Sequence, residues 1–296
     1  MIKLKSEINN LTVYFEQDFM HDTADGSSDG CSPKYTNGNL WIKVDTKGYE
    51  ALAEILACRM VKSLGYNCVE YTPCFLIIDD LAHSSCASKS FQQIGLQETT
   101  LGRELCRLTG LNNLHNLMLH IEHMQSVSER IDFVVSTMKP FIDSENLKTY
   151  IAVLLWLDSI MFNGDRHLHN ILLFRSQTTL LPAPYFDFGD SFLSNVNFKC
   201  PMQMTAAYGI HKVKAKPFSS TFKKQVQALQ EYLPKCYPNS IFMKIDDLYD
   251  YFEADYIARA MDVLKLGLAQ YNIELHIANS DDSINPYTDS TKFFTS

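Results

Sequence analysis

Two acidic clusters lie close together between apolar runs. Asp165-Arg166-His167 with Asn170 closes the stretch WLDSIMFNGDRHLHN (156–170), and Asp187-Phe188-Gly189-Asp190 ends PYFDFGD (184–190). A charged loop between buried elements costs desolvation unless it is paired or binds something. Phosphoryl transfer would use such groups: metal ions on the phosphates, a cation on the non-transferred phosphates, and a base at the nucleophile. The chain holds a candidate for each. Asp165 and Asn170 have D-x-x-x-x-N spacing. Asp187 heads a D-F-G after a hydrophobic run, the context of a metal-binding carboxylate. Lys43 sits inside the apolar run LWIKVD (40–45), and Glu50 and Glu54 follow it closely. An ion pair with one of these glutamates would aim Lys43 at phosphate. The segment 26–38, opening on Gly26, Ser27, Ser28, Asp29 and Gly30, precedes the Lys43 run, where a phosphate-covering loop belongs.

The elements that must position these groups can be read from periodicity. Residues 11–19 and 40–45 read as strands, and 68–78 as a strand whose Pro73 suits an edge or a bulge. Between them, 48–65 has helical spacing, with Leu52, Ile55, Leu56, Arg59 and Met60 on one side and Gly65 as a stop. The polar segment 79–92 reads as a linker. From about residue 99 the pattern turns helical, over 101–109, 112–122, 126–139 and 144–162, the last capped by Asp143 or Ser144. Residues 171–174 and 184–188 read as short strands joined by a turn. An irregular polar segment, 194–219, precedes helices at 221–232, 243–252 and 254–273, and the tail 278–296 reads as loosely ordered. Strands in the first third and helices in the rest predict an α+β chain of two lobes, a β-rich lobe over 1–90 and a helical lobe over 91–296.

With 46% hydrophobic and 20% charged residues, the sequence is that of a globular protein rather than a disordered one. The net charge of −8 argues against broad coating of nucleic acid, so no direct nucleic-acid binding is expected. The eight cysteines are scattered without a C-x-x-C pair, which reads as reduced thiols rather than a disulfide framework or zinc site. The start MIKLKSEINN has no apolar signal core, and the longest apolar run, 151–157, is too short to span a bilayer. A cytoplasmic location without membrane attachment is expected.

Taken together, LWIKVD (40–45), GYEALAEILACRMVKSLG (48–65), NGDRHLHN (163–170) and FDFGD (186–190) resemble the HipA-like serine/threonine kinases, bacterial enzymes several of which are toxins of toxin–antitoxin pairs. AKPFSSTFKKQ (215–225) adds weaker support. The chain departs from the common eukaryotic pattern: it has no H-R-D, no strict G-x-G-x-x-G and no A-P-E after D-F-G. The resemblance implies a bilobal protein-kinase-like fold using ATP and Mg2+. It implies that Asp165 is the catalytic base, that Asn170 and Asp187 hold the metal, and that Lys43 contacts the phosphates and pairs with Glu54 rather than Glu50. It further implies that Gly26, Ser27, Ser28, Asp29 and Gly30 cover ATP, with Ser27 or Ser28 as a candidate for autophosphorylation. The implied partners are a protein substrate, such as a translation factor or an aminoacyl-tRNA synthetase, and a small DNA-binding antitoxin.

Plainer readings stand beside these. D-R-H-x-x-N followed by D-F-G also resembles phosphoinositide kinases, so a lipid or small-molecule acceptor is an alternative. A nucleotide-binding pseudokinase acting through partners is another. His167 and His169 read as a loop-supporting and a solvent-facing histidine rather than a metal pair. Arg166 reads as a structural ion-pair partner, Asp158 as an anchor for the loop backbone, and Asp190 as a cap. The basic run 212–224 reads as a solvated face that could steer an anionic partner.

Overall fold

The computed structural model describes residues 11–21, 33–90 and 95–278. The expected phosphate-covering residues Gly26, Ser27, Ser28, Asp29 and Gly30, and the tail beyond 278, lie outside the described residues. The first lobe is a sheet of β1 (Val13–Phe15), β2 (Met20–His21), β3 (Lys34–Thr36), β4 (Leu40–Val44), β5 (Thr72–Ile78) and β6 (Leu81–Lys89). Its strand order is β1-β5-β6-β4-β3-β2, and only the β1–β5 pairing is parallel. Side chains alternate across β4: Ile42 and Val44 join Tyr35, Cys74, Leu76 and Ala87 in a small core on one face. Trp41 and Lys43 therefore occupy the opposite face, over which α1 (Glu50–Ser63) packs. Buried residues run almost all round α1, because it lies between this sheet and the second lobe.

The segment 79–92 is not a linker: most of it is β6, paired on both sides by β5 and β4. Its small polar composition hid it. Ser85, Cys86, Ala87 and Ser88 are buried, and Cys86 and Ser88 share the Lys43 face on which α1 packs, where larger side chains would hold the helix away. Pro73 falls beyond the end of β1, which reaches only Phe75 to Ile77 of β5, so that end of the strand is a local edge as expected.

The second lobe begins with β7 (Gln97–Thr100), a strand where a helical pattern was expected to begin, and continues through α2 (Leu101–Thr109), α3 (Leu114–Glu122), α4 (Val127–Met138) and α5 (Ser144–Met161). Side-chain caps by Thr100, Asn113, Ser126 and Asp143 start these helices, Ser126 with Glu129 as a reciprocal capping box. Next come β8 (Leu172–Arg175) and β9 (Leu180–Pro182), then α6 (Ala206–Gly209), α7 (Phe222–Ala228), β10 (Ser240–Met243), α8 (Ala254–Ala269) and β11 (Glu274–Ile277). β7, β8 and β9 form one small antiparallel sheet, and β10 and β11 pair in parallel. Two expectations fail here. Residues 184–188 are not a strand, since Tyr185 makes only an isolated bridge to Cys68 and the return strand is β9, inside the supposed turn. Residues 243–252 are not an α-helix. Buried Ile241 and Met243 flank exposed Phe242 with the period of a strand, and only a short 3-10 turn, Asp246–Asp250, follows. The architecture is α+β, with a small β-rich lobe and a larger, mainly helical one.

Candidate active site

The catalytic-loop candidate is held from beneath by a buried ion pair. Asp158 lies near the end of α5, which Phe162 terminates in the left-handed conformation at φ 52°. Arg166, wholly buried, donates from Nε to Asp158 Oδ2 at 2.9 Å and from Nη2 to Asp158 Oδ1 at 3.1 Å. Its Nη1 donates to the carbonyls of Asn170 at 2.7 Å and Phe186 at 3.0 Å. One guanidinium thus ties α5, the loop and the approach to Asp187, while its plane covers the Phe188 ring. Asn163 Nδ2 completes the set at 2.9 Å from Asp158 Oδ1. The loop anchor was expected to be Asp158 acting on backbone; it acts mainly on the Arg166 and Asn163 side chains. Above this plug, Asp165 is half-exposed, its N–H donates to Asn163 Oδ1 at 3.1 Å, and Asn170 Nδ2 donates to Asp165 O at 3.1 Å.

Lys43 joins the two lobes. Its Nζ donates to Glu54 Oε1 and, at 2.9 Å, to Asp187 Oδ1. Glu54, 1% exposed, also accepts from the Phe188 N–H at 2.9 Å through Oε2, so α1 grips both Lys43 and the D-F-G turn. Asp187 has φ 63°, a left-handed conformation that a non-glycine residue holds only where its surroundings enforce it. Burial favours the neutral form of both partners, but attraction prevails. Asp187 is held well below the usual carboxylate range by Lys43 and Lys34 against the opposing effect of burial, and Lys43 is raised by Asp187 and Glu54 against the same effect. Glu50 Oε1 accepts from the Lys47 N–H at 2.8 Å.

Lys43 and Asp187 face a cleft of about 280 Å³. Trp41, Leu172 and Phe186 line its apolar part, and Lys34, Lys43, Asn170 and Asp187 its polar part. Lys34 is opposite Lys43 in the β3–β4 register, which explains how both cations reach this face. Sequence reasoning missed Lys34 because the strand it belongs to is only three residues long. It also missed Lys216, whose Nζ lies 2.9 Å from Asp165 Oδ1; the only sequence signal was the weak AKPFSS block. Asp190 caps no helix and instead pairs with Lys199 at 2.9 Å. His167 keeps a buried Nδ1 without a hydrogen-bond partner, so it does not support the loop through that atom, and burial lowers its pKa. His169 is exposed, as expected.

The donors fit magnesium. Asn170 uses its amide N–H toward Asp165 O, which leaves its carbonyl oxygen as an acceptor, and Asp187 supplies a carboxylate on the same cleft. One carboxylate and one amide oxygen suit a hard cation completed by phosphates and water. Among the described residues no group of three His, Cys, Asp or Glu side chains could hold a metal ion.

No protein-family model matches the sequence, and no curated protein matches it either. Solved structures do. The proinflammatory kinase CtkA of Helicobacter pylori superposes with a TM-score of 0.56 at 14% identity, over 89% of this chain and 96% of that one. The chain has a kinase fold. The HipA toxin of Shewanella oneidensis MR-1, solved with HipB and operator DNA, gives a TM-score of 0.46 at 14% identity over 82% of this chain and 64% of that one. A Golgi casein kinase gives 0.37 at 11% identity over 83% and 71%. The resemblance read from the four sequence blocks agrees with the likeness to CtkA at the level of the kinase fold. In that fold Lys43 and Glu54 come from the small lobe, and Asp165, Asn170 and Asp187 from the large one. No helix of the described residues is long and apolar enough to cross a membrane.

Proposed function

We propose that the chain is an ATP- and Mg2+-dependent protein serine/threonine kinase of the HipA-like type, with a small lobe over 1–90 and a large lobe over 91–296. The observation that carries this reading is the Lys43 ammonium between Glu54 and Asp187, on the same cleft as Asn170 and the apolar side chains of Trp41, Leu172 and Phe186. In this reading Glu54 holds Lys43 in place, and Lys43 binds the non-transferred phosphates. Asn170 and Asp187 would hold Mg2+, which supplies charge neutralisation of the phosphates when bound. Asp165 orients the acceptor hydroxyl and takes its proton. Gly26, Ser27, Ser28, Asp29 and Gly30 precede β3 in sequence and would cover the phosphates, with Ser27 or Ser28 as the candidate for autophosphorylation. A cytoplasmic toxin of a toxin–antitoxin pair, acting on a protein of translation, is the biological setting that the sequence resemblance supports.

The test is incubation of the purified chain with labelled ATP and Mg2+, beside Asp165→Ala. Wild type should phosphorylate itself or a protein of a cell extract, and the variant should lose about 10²–10⁴-fold in rate. Nucleotide binding with no transfer to any acceptor would place the chain among pseudokinases. Transfer to phosphoinositide vesicles in preference to protein would change the acceptor class. For the toxin setting, growth arrest on expression should disappear with Asp165→Ala; arrest by both forms would remove that part of the reading.

A further inference from the structure

The ion pair between Lys216 and Asp165 has no place in the roles assigned so far. Lys216 Nζ stands 2.9 Å from Asp165 Oδ1, with the two side chains 49% and 46% exposed. An exposed pair of this kind contributes about 0–1 kcal/mol to stability. Stability therefore does not account for how firmly the segment bearing the lysine is held. Ala215, Pro217 and Phe218 around it are buried, and Phe218 wholly so. Gln225, also wholly buried, donates from Nε2 to Lys216 O at 3.1 Å and accepts from the N–H groups of Phe218 at 2.7 Å and Ser219 at 3.2 Å. Arg130 Nη1 donates to Phe218 O at 2.7 Å, and the Ala215 N–H closes the turn onto Ser220 O at 3.1 Å. The backbone on either side of Lys216 is fixed from the core, while the side chain reaches out to the catalytic-base candidate. Arg166 beside Asp165 cannot supply this charge, because its guanidinium is turned inward to Asp158. Lys43 is engaged by Glu54 and Asp187.

We propose that Lys216 is a second catalytic lysine, which orients Asp165 in the resting site and contacts the transferred phosphoryl group during reaction. The proposal rests on the kinase reading above. In the transfer, the acceptor hydroxyl gives its proton to a carboxylate oxygen of Asp165 as its oxygen bonds to the γ-phosphorus. The bond from that phosphorus to the bridging oxygen breaks, and its electron pair leaves with the nucleoside diphosphate. A hydroxyl in hydrogen-bond reach of Asp165 brings the phosphorus beside the same carboxylate. An ammonium already seated on Oδ1 then lies next to the equatorial phosphoryl oxygens, where the negative charge is spread in the transition state. Its three donors let it keep Asp165 and take a phosphoryl oxygen together. Lys43 and Lys216 would then bracket the bond that breaks, one on each side.

Lys216→Met and Lys216→Arg in the full chain test this, with Mg2+ present throughout. Three quantities are measured: single-turnover transfer from ATP to casein, affinity for ADP against ADP–fluoroaluminate by titration calorimetry, and thermal melting. Lys216→Met should slow transfer about 10²-fold and weaken ADP–fluoroaluminate about 10-fold, while ADP affinity stays within about 3-fold. Melting should be unchanged within about 2 °C, and Lys216→Arg should recover at least about a tenth of the rate. A lysine that merely held structure would move melting and ADP affinity along with the analogue. Transfer and analogue affinity both within about 3-fold of wild type in Lys216→Met overturn the proposal. So does a loss of ADP affinity equal to the loss of analogue affinity. If wild type binds nucleotide but phosphorylates nothing, the kinase activity fails, and the ratio of analogue to ADP affinity still decides Lys216. If wild type binds neither, both readings fall.

Discussion

At the scale of single residues, the charges of the cleft divide into a buried structural pair and a working set. Arg166 and Asp158 are both buried, so removing one partner strands the other away from water. Asp158→Ala should therefore cost about 3–5 kcal/mol, read as a lower midpoint in urea denaturation; a cost under about 1 kcal/mol would place Arg166 outside the loop's support. Lys43 and Asp187 make a different prediction, in pH. Asp187 is held below the ordinary carboxylate range, so its contribution to stability is full above about pH 4 and is lost as acid protonates it. Lys43 is raised, so its contribution is full below about pH 10 and is lost only as alkali deprotonates it. The stability difference between wild type and Asp187→Asn should be flat from about pH 5 to 9 and narrow below about pH 4. Denaturation curves across that range would check it; a difference that widens on acidification would contradict the ion pair.

At the scale of elements, close approach decides which residues are tolerated. Gly267 sits in α8 where α8 crosses α5, and a Cβ there would lie 1.8 Å from Ile160 O. The obstacle is backbone, so the helices must part. Gly267→Ala should destabilise by at least about 1–3 kcal/mol, visible as a fall of several degrees in melting temperature. No change in melting would mean that α5 and α8 are further apart than described. The turn carrying Lys216 depends on buried Gln225. Gln225→Leu leaves two backbone N–H groups without their acceptor and should cost about 1–3 kcal/mol while loosening that turn, which hydrogen exchange at Phe218 and Ser219 would report as lost protection. β6 belongs to this scale as well. Its serines and small residues have the composition of a loop, and only the packing of α1 against the sheet turns that composition into a central strand.

At the scale of the molecule, the two lobes share one core. The apolar residues of α1, from Ala51 to Val61, belong to the same buried cluster as those of α5 and α8. Polar ties add to this: Arg59 pairs with Asp247 at 2.6 Å, and Ser84 Oγ donates to Tyr251 O at 2.8 Å. The small lobe keeps only a minor cluster of its own. Calorimetry should therefore record one cooperative unfolding transition without nucleotide. Two separated transitions would mean that the lobes are independent folding units. The same burial implies that α1 does not swing freely, so the Lys43–Glu54 pair forms without a ligand.

The sequence by itself determined the number and type of the chemical groups, because residue types at set spacings carry the chemistry: Lys43, Glu54, Asp165, Asn170 and Asp187 are legible as candidates from their local runs. It also determined the helices of the large lobe, whose apolar periodicity and capping residues are local signals, and with them the α+β class. Tertiary structure alone decided what depends on contacts far apart in the chain. It turned Arg166 inward to Asp158, brought Lys34 to the cleft, and set Lys216 on Asp165. It also made strands of segments whose composition reads as linker or helix, since a strand is stabilised by partners that may lie anywhere in the sequence. Charge pairing between Lys216 and Asp165, 51 positions apart, has no signature in either local run.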